Sequence, residues 1–222
     1  MKKVPIVTID GPSGAGKSTI SQRLAARLGY AYLDTGAMYR AVGLKIERTG
    51  IDCDDGTVLS RLLDSIDLQL SAVGGETRVI LDGQDVSEAI RTPEISMAAS
   101  RVSALPSVRA KLTSLQRAIG GNGGVVAEGR DMGTVVFPEA AWKFFLDATP
   151  EERSRRRVLQ LKEQGQQVDE QETLTQIIER DRADSSRALA PLKPASDAVV
   201  IDSSRMTIEE VVAFMAARVV GS

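Results

Sequence analysis

Along the chain, short apolar runs alternate with stretches in which apolar residues recur at helical spacing. Val4–Ile9, Ala31–Leu33, Val125–Ala127, Lys143–Leu146 and Ala198–Ile201 are short and mostly free of charge, as strands buried on both faces should be. Helices are expected over Lys17–Leu28, Ala37–Arg48, Pro106–Ile119, Pro150–Glu163, Glu172–Ser186 and Ile208–Val219. The start at Pro150 is well signalled. Thr149 can cap, Pro150 suits the first helical position, and Glu152 completes a capping box. Strands alternating with helices in this way predict an α/β fold, a parallel sheet covered by helices.

The rhythm breaks between Ile51 and Ser103. Asp67–Ser71 and Arg78–Leu81 read as two hairpin strands around Val73-Gly74-Gly75-Glu76, and Asp82-Gly83-Gln84-Asp85 as a further turn. Roughly Gly50–Ser103 is therefore expected to be an insertion with its own small sheet. Glu163–Glu170 is polar and contains Gly165, so a mobile loop is expected between two arginine-bearing helices.

Composition narrows the class. The 222 residues are 42% hydrophobic and 26% charged, which is globular and long enough to bury a core without disulfides or metals. No apolar run approaches the ~20 residues of a membrane helix. The segment Met1–Asp10 meets a charge too early for a signal peptide. The single cysteine, Cys53, excludes an internal disulfide and suits the cytoplasm. There is no histidine, which removes Ser-His-Asp and Cys-His nucleophiles and His-ligated zinc. A net charge of −2 gives no global attraction to nucleic acid or to an anionic membrane.

The strongest motif is Gly11-Pro12-Ser13-Gly14-Ala15-Gly16-Lys17-Ser18-Thr19, a full match to the phosphate-loop pattern between a predicted strand and a predicted helix. The glycines let the backbone curl so that successive N–H groups face phosphate oxygens. The helix adds its positive end. Lys17 can reach the β- and γ-phosphates of ATP, and the Ser18 hydroxyl can ligate Mg²⁺. No N-K-x-D tetrapeptide is present, which argues against a regulatory GTPase. Small size and extra anion-binding residues point instead to a kinase acting on a small acceptor.

Further charged residues fall where such an acceptor would bind. In Leu33-Asp34-Thr35-Gly36-Ala37-Met38-Tyr39-Arg40, Asp34 or Thr35 can cap the next helix, with Arg40 just over a turn inside it. Glu128-Gly129-Arg130-Asp131-Met132-Gly133-Thr134 follows a strand end, where ligands of open α/β sheets bind. Arg180, Asp184 and Arg187 are spaced i, i+4 and i+7, so they would share a helix face. Arg153, Arg155, Arg156 and Arg157 cluster on the preceding helix, where Glu152–Arg156 is equally available as a surface pair. A nucleoside monophosphate acceptor explains the missing histidine, because its second phosphate pKa of about 6 leaves the attacking oxygen largely ionised. A hydroxyl acceptor would call for a positioned carboxylate.

Taken in order, the phosphate loop, Leu33–Arg40, Glu128–Pro138 and Arg187-Ala188-Leu189-Ala190-Pro191-Leu192 make the chain resemble the bacterial cytidylate kinases over essentially its whole length. The resemblance implies a P-loop nucleoside monophosphate kinase fold with a five-stranded parallel core sheet flanked by helices. It implies one kinase domain over 1–222: a core at about 1–35, 104–152 and 172–222, a small inserted β/α monophosphate-binding subdomain at about 36–103, and a short lid at about 153–171. The implied reaction is transfer of the ATP γ-phosphoryl group to CMP or dCMP with Mg²⁺, by a cytoplasmic monomer. By the family pattern Thr35, Arg40, Ser100, Arg109, Arg130 and Asp131 hold the acceptor. Arg109 and Arg130 read the cytosine side, and Arg40 binds the phosphate. Asp184 and Arg187 sit at the sugar, with Arg156, Arg157 and Arg180 near the transferring group. Many family members have serine at the position of Thr35, and many have glycine at that of Ser18. The second difference makes a direct Mg²⁺ ligand more accessible in this chain.

Overall fold

The computed structural model describes residues 4–73, 76–163 and 165–221. They form two compact units, one from 1–31 with 122–222 and the other from 32–121. Met1, Lys2 and Lys3 of the chain start, Gly74 and Gly75 of the expected hairpin turn, and Gln164 of the expected mobile loop lie outside the described residues.

The first unit holds β1 (Val4–Asp10), α1 (Lys17–Leu28) and the start of β2 (Ala31–Asp34), where the chain passes into the second unit. The second contributes α2 (Thr35–Thr49), α3 (Gly56–Ser65), β3 (Leu68–Val73), β4 (Glu76–Leu81), β5 (Gln84–Asp85), α4 (Pro93–Val102) and α5 (Pro106–Gly120). The chain then returns to the first unit as β6 (Gly123–Gly129), β7 (Trp142–Asp147), α6 (Pro150–Glu163), α7 (Glu170–Ser186), β8 (Val199–Asp202) and α8 (Ile208–Val220).

A five-stranded sheet of order β2-β6-β1-β7-β8 forms the core. β1 is central and runs parallel to both neighbours, with Val7 opposite Val126 and Trp142. Its last four residues are buried, so the carboxyl end of the middle strand is enclosed. The phosphate loop leaves from there. Helix α1 buries Lys17, Ile20, Ser21, Leu24 and Ala25, one stripe at 3.6-residue spacing. Gly11, with φ +149°, is the hinge between strand and loop. A Cβ there would run into the Leu146 carbonyl of β7, so only glycine allows the turn.

The second unit is built around α2. Asp34 caps it by accepting from Ala37 N–H at 2.8 Å, and Thr35 is its first residue. Close contact with α4 is allowed by small residues, since a Cβ on Gly43 would stand 3.1 Å from Ala99 N. β3, β4 and β5 form an antiparallel sheet, the expected small sheet of the insertion.

Two helices of this insertion were not predicted. Helix α3 buries only Leu59 and Leu63, too little to show a period. Helix α4 buries Ile95, Ala98, Ala99 and Val102 at helical spacing, but the alanines dilute the apolar signal. Its Thr92-Pro93-Glu94 start is the same kind of signal as Thr149-Pro150-Glu151, with Thr92 Oγ1 accepting from Ile95 N–H at 3.3 Å.

Two local predictions need correction. Thr149 Oγ1 does accept from Glu152 N–H at 3.3 Å, but the reciprocal half of the capping box is replaced. Thr149 N–H donates to Ser204 Oγ, while the Glu152 carboxylate takes Arg155 and Arg156. Two guanidiniums outcompete one neutral N–H for that carboxylate. They hold its pKa at about 2, with Arg155 contributing most. Arg187, in turn, does not share the helix face of Arg180 and Asp184. Helix α7 ends at Ser186, and Arg187 has φ −58° and ψ +136°.

Gln116 of α5 is fully buried, and among the described residues neither its amide nitrogen nor its amide oxygen has a hydrogen-bond partner. An unpaired buried amide costs roughly 1–3 kcal/mol. Gln116→Met keeps the shape, so it is expected to stabilise the protein by about 1–2 kcal/mol. Thermal denaturation should show Tm rising by several degrees; a fall would contradict this account of Gln116.

Candidate active site

The site of the first unit starts at the end of β1. Asp10 is buried, and its two oxygens each accept a backbone N–H at 2.8 Å, from Met132 and from Gly133. Burial pushes its pKa up to about 6, against the opposing pull of those N–H groups. The paired bonds seat the single π turn Met132–Val136 against β1. Arg130 and Asp131 lie between that turn and the end of β6, which brings them to the same strand ends as the phosphate loop.

Within the loop Lys17 lies at the first position of α1, and its ammonium donates to the Pro12 carbonyl at 2.6 Å. Its pKa is pushed down to about 7. Desolvation is the main cause, followed by the Arg130 charge, with Arg180 adding to it and Glu128 and Asp10 opposing. A buried excess of positive charge is therefore waiting for an anion. A triphosphate placed here would restore the ammonium, so binding at pH 8 is expected to take up close to one proton, and at pH 6 almost none through Lys17. Calorimetry of ADP binding in buffers of different ionisation heat measures this, and proton release at pH 8 would contradict it. In the nucleotide-free protein the unfolded chain binds more protons than the folded one between about pH 7 and 10.5. Lys17 therefore makes stability rise with pH across that window.

Arg130, Asp184 and Arg187 meet as one cluster. Arg130 Nε donates to Asp184 Oδ2 at 3.0 Å, and the other carboxylate oxygen lies 3.8 Å from Arg187 Nη1. Burial would raise the Asp184 pKa, but the charges of Arg130, Arg180 and Arg187 outweigh it and keep the group below its ordinary value. Arg187 is held in place although it lies past the helix. Its Nη2 donates to the Ala190 carbonyl at 2.9 Å, across a turn in which Ala190 has φ +49°.

The arginines of α6 go elsewhere. Arg156 donates to the Ser203 carbonyl at 2.7 Å and reaches the Ala15 carbonyl at 3.5 Å, so it braces the back of the phosphate loop. Arg157 donates to Gln160 on its own helix. Arg155 is exposed beside Glu152. Arg153 is buried and makes three contacts, to Ala148, Ser13 and Asp181.

The second unit carries its own polar cluster. Asp34 Oδ2 accepts from Arg40 Nη2 at 3.1 Å, so the residue that caps α2 also orients its arginine. Arg109 is buried, donates to the Ser103 carbonyl at 3.3 Å, and lies over the Tyr39 ring at 5.8 Å. Ser100 is half-buried, and its backbone carbonyl accepts from Ser103 Oγ at 2.7 Å. Thr35 is buried at the start of α2.

Each expected site residue is thus placed. In the first unit the structure brings together Lys17, Arg130, Arg180, Asp184 and Arg187. In the second it sets Arg109 on Tyr39 and Arg40 on Asp34. Sequence reasoning assigned no role to Asp10, Tyr39, Asp181 or Ser203, and named Arg153 only as one of the α6 arginine cluster. Asp10 precedes the phosphate loop and Tyr39 lies within the Leu33–Arg40 motif, and that placement was the available signal.

The Ser18 hydroxyl is exposed on the first turn of α1, and among the described residues no group of three or more acidic or cysteine side chains is placed to hold a metal. That donor set fits Mg²⁺, which is commonly held by one or two protein oxygens plus substrate phosphates. No described helix is long and apolar enough to cross a membrane.

The chain matches the cytidylate kinase family model over residues 7–220. It is 52% identical over 221 residues to a cytidylate kinase of Pelotomaculum thermopropionicum, covering 99% of this chain and 97% of that one. It is 53% identical to a cytidylate kinase of Syntrophotalea carbinolica over 95% and 90% of the two chains. An uncharacterised protein from Eubacterium ventriosum has a similar fold, with a TM-score of 0.53 at 9% identity over the whole of both chains. With the family model matched over residues 7–220 and relatives about half identical over nearly the whole chain, the chain belongs to the cytidylate kinase family.

Proposed function

We propose that the protein transfers the γ-phosphoryl group of ATP to CMP or dCMP, giving ADP and CDP or dCDP. One observation carries the reading: Lys17 is buried in the phosphate loop on the Pro12 carbonyl, where desolvation first and the neighbouring Arg130 and Arg180 charges after it push its pKa down to about 7. Such a site is poor at holding a neutral or cationic ligand and well suited to a polyphosphate.

Gly11, Pro12, Ser13, Gly14, Ala15, Gly16, Lys17, Ser18 and Thr19 hold the donor phosphates in this reading. Lys17, Arg130, Arg180 and Arg187 stabilise the charge that spreads over the transferring group. Arg156 and Arg157 are also assigned to that region, with Arg156 acting through the loop backbone it braces. Thr35, Arg40, Ser100 and Arg109 are assigned to the acceptor, as are Arg130, Asp131, Asp184 and Arg187. Arg109, whose guanidinium lies 5.8 Å over the Tyr39 ring, is assigned to the base, and Arg40 supplies a charge suited to a monophosphate. Mg²⁺ held by Ser18 and the donor phosphates would neutralise charge between the β- and γ-phosphates.

No general base is needed, because the acceptor phosphate is largely ionised at neutral pH. Two of the site's carboxylates are already engaged: Asp10 by two backbone N–H groups and Asp184 by Arg130. A kinase for a sugar or alcohol hydroxyl would keep a carboxylate available for the proton. The single cysteine and the lack of a membrane-crossing helix among the described residues support a cytoplasmic enzyme, and a monomer suffices for the reaction. ADP formation with CMP, dCMP, UMP, AMP, GMP or no acceptor tests the reading. Stimulation by CMP and dCMP alone is expected. Stimulation by another nucleotide would overturn the acceptor assignment. Slow hydrolysis that no acceptor stimulates would favour an ATP-dependent switch.

A further inference from the structure

Three carbonyls of the phosphate loop are held by side chains. Pro12 accepts from Lys17 at 2.6 Å, Ser13 from Arg153 Nη1 at 3.0 Å, and Ala15 from Ser203 Oγ at 3.4 Å. A peptide unit is planar and trans, so its C=O and N–H point in opposite directions. A donor that fixes the Ser13 carbonyl therefore also fixes the N–H of Gly14. That N–H belongs to the run of loop amides whose direction determines how well phosphate is bound.

Arg153 differs from Lys17 and Ser203 because its guanidinium joins three separate elements, and from Arg156, which reaches the Ala15 carbonyl at 3.5 Å, because its fork reaches α7. Nε donates to the Ala148 carbonyl just beyond β7 at 2.8 Å, Nη1 holds Ser13, and Nη2 pairs with Asp181 of α7 at 2.6 Å. The side chain is 3% exposed. The loop is pressed against it: a Cβ on Gly14, which has φ +79°, would stand 3.1 Å from Arg153 Cβ. Lysine has one nitrogen on a flexible stem and cannot reproduce a planar three-way fork. Asp181 is flanked on α7 by Arg180 and, three residues on, by Asp184. One side chain thus links the loop that binds the donor to the helix that carries two residues of the charged cluster.

We propose that Arg153, oriented by Asp181, is a positioning residue that sets the Ser13–Gly14 peptide for the donor phosphates and ties the phosphate loop to α7. It touches neither the donor nor the acceptor, and its effect on binding is carried by the Gly14 N–H. The kinetic part rests on the kinase reading above; the binding part needs only that the loop binds a nucleotide.

Magnesium–ADP binding is measured by calorimetry for the unmodified protein, Arg153→Lys, Asp181→Asn and the double variant, with KM for ATP and for CMP and with Tm. Misplacing binding groups by about 1 Å can cost about 10²-fold. Arg153→Lys is therefore expected to weaken ADP binding and raise the KM for ATP by about 10–100-fold, with the KM for CMP within about twofold. Asp181→Asn should show the same donor-only pattern at about 3–10-fold, and the double variant should be no worse than Arg153→Lys, since Asp181 acts through Arg153. A merely structural role would lower Tm and leave donor affinity in the folded fraction unchanged, or would shift both KM values together. Either result overturns the proposal. If Arg153→Lys does not fold, Asp181→Asn decides, and unchanged ADP affinity in that variant also overturns it. Failure of the unmodified protein to bind ADP would overturn the kinase reading itself, a result distinguishable from the others.

Discussion

Lys17→Ala is expected to lower kcat by about 10³-fold or more while leaving the protein folded. The ammonium lies at the start of α1, on the Pro12 carbonyl and near Arg130 and Arg180. Charge grows on the phosphate oxygens as the γ-phosphoryl group leaves, and Lys17 is the cation that the loop geometry aims at them. A factor of 10³ is about 4 kcal/mol, within the range for removing one preorganised charge from an enclosed site. The stability side has the opposite sign. Burial and neighbouring arginines already disfavour the charged lysine, so removing it relieves that penalty and should not lower the Tm of the nucleotide-free protein. Steady-state kinetics with a melting curve tests both halves. A folded variant with kcat within tenfold of the parent would contradict the role given to Lys17.

The second large effect is on folding. Gly11→Ala places a methyl group against the Leu146 carbonyl at a residue with φ +149°. The obstacle is the backbone of β7, paired with β1 through Ile9 and Phe144, and Asp10 and Phe145, so no side-chain rotation can relieve it. Strain at an unfavourable φ and overpacking each cost about 1–3 kcal/mol. Together they predict a loss of about 2–6 kcal/mol. For a chain of this size that lowers Tm by roughly 10 °C, and ADP affinity should fall with it because the loop departs from this residue. Unchanged Tm would mean that β1 and β7 separate more easily than their pairing indicates.

Much of this was legible in the sequence where one physical signal dominates. Lys17–Leu28 and Pro150–Glu163 have the expected ends because Gly29 and the Thr149-Pro150 pair mark boundaries that tertiary packing does not move. Relative to expectation, β1 and β2 gain one residue, β7 two and β6 four, while β8 shifts by one; Asp10, Asp34 and Asp202 belong to their strands although they are charged. Charge marks where apolar packing stops, not where backbone pairing stops. Helices α3 and α4 escaped because two buried leucines, or a stripe rich in alanine, give little periodicity.

Site residues divide along a similar line. Lys17, Arg130 and Asp184 were identifiable because their motif or spacing fixes both the residue and its surroundings. The arginines of α6 were not distinguishable, because a run of similar residues does not say which turns inward. Backbone carbonyls distinguish two of them: Arg153 and Arg156 bind loop carbonyls, whereas Arg155 pairs with Glu152 and Arg157 donates to Gln160. Asp10 is a similar case. Its value lies in two N–H groups more than a hundred residues away in sequence, and no local pattern reports them.

The most direct test of the central claim follows the γ-phosphate itself. ATP labelled at that position is incubated with the protein, Mg²⁺ and CMP, and the label is traced. The account predicts that it appears in CDP, in proportion to ADP formed and with little free phosphate. Label released as inorganic phosphate, with CMP unchanged, would contradict it.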